Sequence, residues 1–290
     1  MLSEEGRVKS EEETYMTKFI AAAVQMDSQD DKNANLAAAE GYIREAAARG
    51  ASLVVLPESM NYIGRDMAGE AETIPGGPTF RKMADLAREL GIWLEAGSIY
   101  ESNPEDPARP FNTTFLVRPD GTLAAKYAKL HPFDVVLPNG VTSRESDRVC
   151  PGKTLALGDT EWGKLGLAIC YDVRFGEMFR IMALEGAKIF AVPANFTVNT
   201  GKDHWEVLVR ARAIENECYV IAPNQMGKKP RFTAYGNSLI VDPWGTVIAR
   251  ASDKPGVITT EIDLDYVTKV RQSTFTLDNR RPDVYELKML

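Results

Sequence analysis

With 290 residues the chain is long enough for one large α/β domain or two modest ones, and its 44% hydrophobic and 26% charged content is that of a globular protein. Its 41 acidic residues outnumber 34 basic ones, a formal charge of -7, which removes any general attraction to nucleic acid or to an anionic membrane. No apolar run approaches the ~20 residues that span a bilayer, no apolar secretory segment opens the chain, and Cys150, Cys170 and Cys218 form no CxxC pair, so a cytoplasmic protein without a disulfide framework or zinc knuckle is expected.

Residues 1–17, polar and acidic, are expected to form a flexible tail ahead of a single domain over 18–290, which itself ends in a second tail from about residue 270. FIAAAVQM (19–26) reads as a buried strand, NLAAAEGYIREAAARG as a helix ending at Gly50, and SLVVLPE (52–58) as a short apolar strand stopped by a proline and a polar residue. A second helix from about Thr79 to Leu90 follows, then the strand IWLEAGSIY and the hairpin TFLVRPDGTLAAKY with its Asp-Gly turn.

From residue 165 the same order returns. LGLAIC reads as a strand, EMFRIMALEGA as a helix closed by Gly186, and KIFAVPANF as a strand ending in Pro193 and Asn195. A longer helix, about Asp203 to Glu217, leads to the strand CYVIAPNQ and the hairpin SLIVDPWGTVIARA, and the segments VRPDGTL and VDPWGTV align almost residue for residue. Two such halves predict two similar mixed sheets with helices on one face each, packed by their bare faces as a four-layer α-β-β-α sandwich. Glu58, Cys170 and Asn195 all fall at predicted strand ends, where ligands gather in sheets of this kind.

Cys170 stands where an apolar strand gives way to the polar run Tyr171, Asp172, Arg174 and Glu177. Packing alone would explain a cysteine after such a strand, but a strand opening into a helical turn is also where backbone N–H groups can favour a thiolate. Cys150 and Cys218 lack that context and read as structural. A thiol nucleophile needs a base or a nearby cation. His131 and His204 are the only histidines, and there is no HExxH, which argues against a metal site. Glu58 is the alternative base, because a carboxylate after an apolar strand is expensive to bury without a partner. Lys129, in AKYAKLHPFD, reads either as a surface lysine or, turned inward, as the cation that stabilises an oxyanion. The stretch GDTEWGK fits part of a phosphate-binding loop, but Leu165 replaces the Ser/Thr and a strand follows, so a hairpin turn is expected there.

Taken in order, LPE (56–58), KYAKLHPFD (126–134) and GLAICYDVRF (166–175) resemble the nitrilase, or carbon–nitrogen hydrolase, superfamily. The resemblance runs from about residue 18 to Tyr285 and implies a cofactor-free Glu-Lys-Cys hydrolase on an α-β-β-α sandwich. By motif, Glu58 resembles the general base, Lys129 the oxyanion-stabilising lysine, Cys170 the nucleophile, and Glu145 in SRESDRVCPG the second glutamate that positions the lysine. Pro132 replaces the usual leucine after the histidine. The segments ESMNYIGRD, AETIPGGPT, YGNSLIVDPWGT and NRRPDVY are most similar to the Nit branch, which includes amidases for deaminated glutathione and for ω-amides.

The resemblance therefore implies hydrolysis of a small linear carboxamide through a thioester on Cys170, with no cofactor and a homodimer or larger homo-oligomer as the working form. Nitrile hydrolysis and N-carbamoyl amine hydrolysis would use the same triad, and a catalytically silent scaffold is the alternative of another class. Tyr62, Tyr171, Arg174, Asn195, Phe196 and Thr197 are the candidate substrate contacts, Arg174 for a substrate carboxylate unless it pairs with Asp172 or Glu177.

Overall fold

The computed structural model describes residues 17–137, 140 and 142–289. The segment expected to be a tail thus lies, but for Thr17, outside the described residues. The first half builds strands β1 (Lys18–Gln25), β2 (Ala51–Val55), β3 (Trp93–Glu101), β4 (Phe111–Val117) and β5 (Leu123–Ala128), with helices α1 (Lys32–Ala48) and α2 (Pro78–Leu90) between them. A small ribbon of β6 (Asp134–Val136) and β7 (Thr142–Arg144) leads to a short 3₁₀ turn, Glu145–Asp147. The second half comprises β8 (Leu157–Thr160), β9 (Gly163–Leu167), α3 (Gly176–Leu184), β10 (Ala187–Ala191), α4 (Val198–Thr200), α5 (Glu206–Asn216) and β11 (Tyr219–Ala222). A second ribbon follows, β12 (Met226–Lys228) with β13 (Thr233–Tyr235), then β14 (Leu239–Val241), β15 (Val247–Arg250), β16 (Gly256–Asp263) and α6 (Leu264–Thr274).

The two large sheets share one strand order. Sheet one runs β16-β1-β2-β3-β4-β5 and sheet two, read from its corresponding edge, β8-β9-β10-β11-β14-β15. In each, three parallel strands stand between an antiparallel edge strand and an antiparallel hairpin. The strand period of two sorts the side chains of sheet one between two cores. Phe19, Ala21 and Ala23 join Leu165, Leu167, Ile189 and Ile221 in the core between the sheets, whereas Ala22 and Val24 join Ile43, Met83 and Phe80 beneath α1 and α2. That division is the predicted sandwich. The helices are placed by local chemistry: Asp31 caps α1 by accepting from the Ala34 N–H, Pro78 opens α2, and Gly91 at φ 63° closes it in the left-handed conformation.

Four details depart from the sequence reading. The strand predicted to reach Cys170 stops at Leu167, and Cys170 opens a 3₁₀ turn at φ 49°. The helix expected from Asp203 to Glu217 starts earlier, as α4, passes through a π-helical stretch over Gly201–Trp205 and becomes regular only in α5. Strand β16 returns from the C-terminal end to pair with β1 across eight residues, so the first sheet is completed by the last strand. Helix α6 continues to Thr274, so the C-terminal tail begins beyond residue 274 rather than at about 270. GDTEWGK is the β8–β9 turn, as expected. No helix among the described residues is long and apolar enough to cross a membrane.

Candidate active site

Segments that follow strands of both sheets converge at one place. Glu58 follows β2, Lys129 follows β5, Glu145 opens the 3₁₀ turn after β7, and Cys170 follows β9. All four line a cavity of about 480 Å³. The Lys129 Nζ donates to Glu58 Oε1 at 3.0 Å and to Glu145 Oε2 at 2.9 Å, and its side chain is only 2% exposed. Asn112 Nδ2 donates to the same Glu58 oxygen at 2.8 Å. Two carboxylates therefore share one buried ammonium. Burial by itself lowers the Lys129 pKa, but Glu145 and then Glu58 more than reverse this and carry it well above the ordinary lysine value.

Cys170 sits in the opposite electrostatic position. Burial pushes its thiol well above the ordinary value, the charge of Glu58 adds to that, and Lys129 and the backbone N–H of Asn195 offset it only in part. This environment favours the thiol over the thiolate and sets it near the Glu58 carboxylate. Its positive φ is fixed from both sides, since the Cys170 N–H donates to Pro193 O at 2.8 Å and the following turn is tied down by Asp172. A non-glycine residue held in this region is strained, and such strain concentrates at functional sites.

Asp172 is the residue whose place the sequence reading missed. It is fully buried, and among the described residues Arg174 forms an ion pair with neither it nor Glu177. Its Oδ2 accepts from the Tyr127 hydroxyl at 2.7 Å and from the Ile169 N–H at 2.9 Å, while its Oδ1 lies 2.7 Å from His131 Nδ1. One carboxylate thus holds the turn of Cys170 against the loop of Lys129. The signal was present in the pair KYAKLH and CYD, an acid two residues past the cysteine and a histidine two residues past the lysine. His131 stacks on Phe175 at 3.6 Å between ring centres, and His204 faces Arg174, so neither histidine serves Cys170.

A second tie crosses between the halves. Gln225 Nε2 donates to Glu58 O at 3.0 Å, its Oε1 accepts from the Ser28 N–H at 2.9 Å, and Met26 bridges to Gln225 in parallel. The main chain of Glu58 is thereby held by the opposite half.

Residues 20–272 match the carbon-nitrogen hydrolase family. The chain belongs to that family. This hydrolase is 39% identical over 277 residues to omega-amidase NIT2 of Homo sapiens, covering 94% of this chain and 99% of the relative. It is 40% identical to the deaminated glutathione amidase of Homo sapiens, covering 92% and 83% of the two chains. Among solved structures, NitFhit of C. elegans superposes with a TM-score of 0.87 at 38% identity, over 94% of this chain and 68% of that one. Nit3 of Saccharomyces cerevisiae, a member of the nitrilase superfamily, gives 0.84 at 31% identity, over 94% and 100%. The nitrilase-like sandwich and the assignment to hydrolases of carbon–nitrogen bonds stand on these matches.

Of the expected substrate contacts in this hydrolase, Tyr171, Asn195, Phe196 and Thr197 do line the cavity. Tyr62 does not. It packs with Tyr100 and Val149 in a small separate cluster and its hydroxyl accepts from the Asp66 N–H, so Tyr100 stands on the wall in its place. Arg174 does not line the cavity either, because its guanidinium lies behind the wall, 5.5 Å from the Tyr171 ring centre and 5.3 Å from that of Phe196, with Nη1 3.3 Å from His204. Sequence reasoning also passed over Asn112, Phe133, Arg148 and Arg231. No local pattern marks them: Asn112 lies inside β4, Phe133 in the loop before β6, Arg148 after the 3₁₀ turn and Arg231 in the turn between β12 and β13.

Proposed function

We propose that this hydrolase cleaves a carboxamide whose acyl or amine portion carries a carboxylate, of the ω-amide or deaminated glutathione type, through a thioester on Cys170. The observation that carries the reading is the buried Glu58–Lys129–Glu145 cluster beside a thiol that is protonated at rest. Glu58 takes the thiol proton as sulfur attacks the amide carbon. The charge that develops on oxygen is met by the Lys129 ammonium and by the backbone N–H of Tyr171, whose place in the first turn leaves it without a partner within that turn. Collapse expels the amine or ammonia with the proton held by Glu58, leaving the thioester. Glu58 then deprotonates water, the hydroxide attacks the thioester, and the departing sulfur recovers the proton from Glu58. One carboxylate serves both half-reactions because Lys129 and Asn112 hold it in place throughout.

Glu145 is the positioning residue in this scheme. It holds Lys129 from the side away from Glu58, so that the ammonium can turn toward the developing oxyanion without leaving a bare charge. The names of the relatives supply the class of amide. The working form we propose is a homodimer or larger homo-oligomer, supported by exposed Val207 and Ile214 one heptad apart on α5 with Trp244 nearby, and by exposed Val284 and Tyr285 near the C-terminal end. Three free thiols support a reducing compartment such as the cytosol.

Ammonia release from succinamate, glutaramate, a nitrile and an N-carbamoyl amine, with intact-mass detection of the acyl adduct, tests the reading. An acylated Cys170 and turnover of the amides are expected. Turnover of only the nitrile or carbamoyl compound would replace the substrate class, and no adduct at all would remove the nucleophile.

A further inference from the structure

The cavity carries cations at its rim that no step above uses. Arg148, just after the 3₁₀ turn of Glu145, and Arg231, in the turn between β12 and β13, both line it, and Asp147 shares the wall with them. Among the described residues, neither arginine has a carboxylate within ion-pair distance or donates a hydrogen bond from its guanidinium, and the same holds for Arg65 nearby. Arg44, Arg109, Arg212, Arg250 and Arg281 each hold an acidic partner. Partial burial and then the charges of Arg148 and Arg65 pull the Arg231 guanidinium below its ordinary range, the mark of cations gathered without an anion. The two inner carboxylates, Glu58 and Glu145, are already taken by Lys129.

The ribbon that carries Arg231 is anchored more firmly than a surface hairpin needs. Lys229 has a side chain with no exposure, and its Nζ donates to Asp27 Oδ1 at 2.7 Å and to Ser28 O at 2.9 Å, at the end of β1 in the other half. The Lys229 N–H closes the turn by donating to Phe232 O at 2.7 Å. Gly227, at φ 82°, lies so close to Asp27 that a Cβ would come within 2.6 Å of its carboxylate. On the other side the Tyr235 N–H donates to Phe196 O at 2.8 Å, beside the cavity wall. Burying a lysine to fix a four-residue turn is expensive, and the residue so fixed is an arginine over the cavity.

Resting on the amidase reading, we propose that Arg231, with Arg148, binds a carboxylate at the end of the substrate remote from the scissile amide and so sets the preference for amides with an anionic far end. A guanidinium fork suits a carboxylate bidentately. Lys129 cannot serve both ends, since it is enclosed by two carboxylates at the floor. Arg174, the arginine nearest to Cys170 in sequence, lies behind the Tyr171 and Phe196 rings.

The test compares succinamate, glutaramate and adipamate with butyramide, pentanamide and hexanamide, on wild type, Arg231→Gln, Arg231→Lys and Arg148→Gln. At the chain length that wild type turns over fastest, the anionic-to-neutral ratio of kcat/KM should fall about tenfold or more in Arg231→Gln, through KM rather than kcat, and recover in part in Arg231→Lys. An unchanged ratio, or equal loss on both series, overturns the proposal. The rate of Cys170 alkylation by 5-chloro-4-oxopentanoate against 1-chloropentan-2-one, read by intact mass, is independent of turnover. If wild type hydrolyses no amide yet Arg231→Gln slows only the anionic ketone, the amidase reading fails and the carboxylate site stands. If both ketones react alike in wild type and variant, the carboxylate site fails whatever the amides do.

Discussion

The ends of β2 and β10 occupy equivalent places in the two sheets, and they are built alike up to the point where chemistry begins. Each strand runs into a Val- or Leu-containing step and a proline, at Pro57 and Pro193, and each continues past its formal end with a main-chain bond to the neighbouring strand, Leu56 to Glu95 and Val192 to Ile221. From there they diverge. The first end delivers Glu58, a buried carboxylate paired with Lys129, and the second delivers the backbone N–H of Asn195 toward the Cys170 sulfur. The same contrast holds at the ends of β1 and β9. After β9 stands Cys170, whereas after β1 stand Met26 and Asp27, which accept from the Met226 N–H and the Lys229 ammonium of the opposite half. One half supplies the charges and the other the sulfur. A duplicated scaffold therefore fixes where groups converge without fixing what they are.

The contrast is broken most completely at the sulfur. Cys170→Ala should lose at least roughly 10⁴-fold in kcat with the melting transition retained, while Cys150→Ala, measured in parallel, should remain within about twofold of wild type. Between the two strand ends, Glu58→Gln should cost roughly 10³-fold, within the range for general acid–base groups. Asn195→Ala should cost less than about tenfold, because the N–H that faces the sulfur belongs to the backbone. Comparable losses at the two positions in steady-state kinetics would end the asymmetry.

Lys129→Ala removes an oxyanion donor and should lower kcat by about 10² to 10³. It also leaves Glu58 and Glu145 without their cation, so chemical denaturation should show a destabilisation of about 3 to 5 kcal/mol. Glu145→Gln, which keeps the shape and removes one charge, separates the two effects: the loss of stability should be much smaller than in Lys129→Ala. Asp172→Asn should destabilise by about 1 to 3 kcal/mol, since an amide cannot accept all the bonds that Tyr127, Ile169 and His131 now make. Its kcat should fall more than its KM rises, because the change displaces Cys170 relative to Lys129.

The smallest effect concerns Glu95 in β3, fully buried beneath the strand end of Glu58. Burial raises its pKa to about 8, with hydrogen bonds from Thr114 and from the Gly97 N–H opposing the shift. The folded protein therefore holds a proton that the unfolded chain releases near the ordinary glutamate value of 4.5. Its contribution is complete below that value and is lost as pH rises toward about 8, by no more than roughly 5 kcal/mol. Glu95→Gln should be flatter than wild type in Tm between pH 5 and about 8, and an identical slope in the two proteins would show that Glu95 is ionised in the fold.

Much of the site was legible because its chemistry lies in contiguous strings. LPE, KYAKLH and GLAICYD each join a strand signal to one reactive residue, and the scarcity of histidine turned attention to carboxylate and ammonium. The substrate contacts were less legible because adjacency in sequence is a poor guide to a cavity wall. Tyr62 and Arg174 are close to Glu58 and Cys170 along the chain, yet one packs into its own cluster and the other lies behind an aromatic pair. Arg231 is 61 positions from Cys170 by the numbering and reaches the rim on a ribbon of three-residue strands. Such strands are too short to show a period of two.

By itself the sequence determined the alternation of strands and helices, its repetition, the sandwich that repetition requires, and the candidate residues Glu58, Lys129 and Cys170. Those features rest on local periodicity and on short strings whose residues act at fixed backbone positions. Only the tertiary structure decided that β16 completes the first sheet, that Asp172 locks the turn of Cys170 to the loop of Lys129, and that the rim cations are Arg148 and Arg231. Each of these depends on long-range pairing, where burial and charge are set by chain segments that the local sequence does not contain.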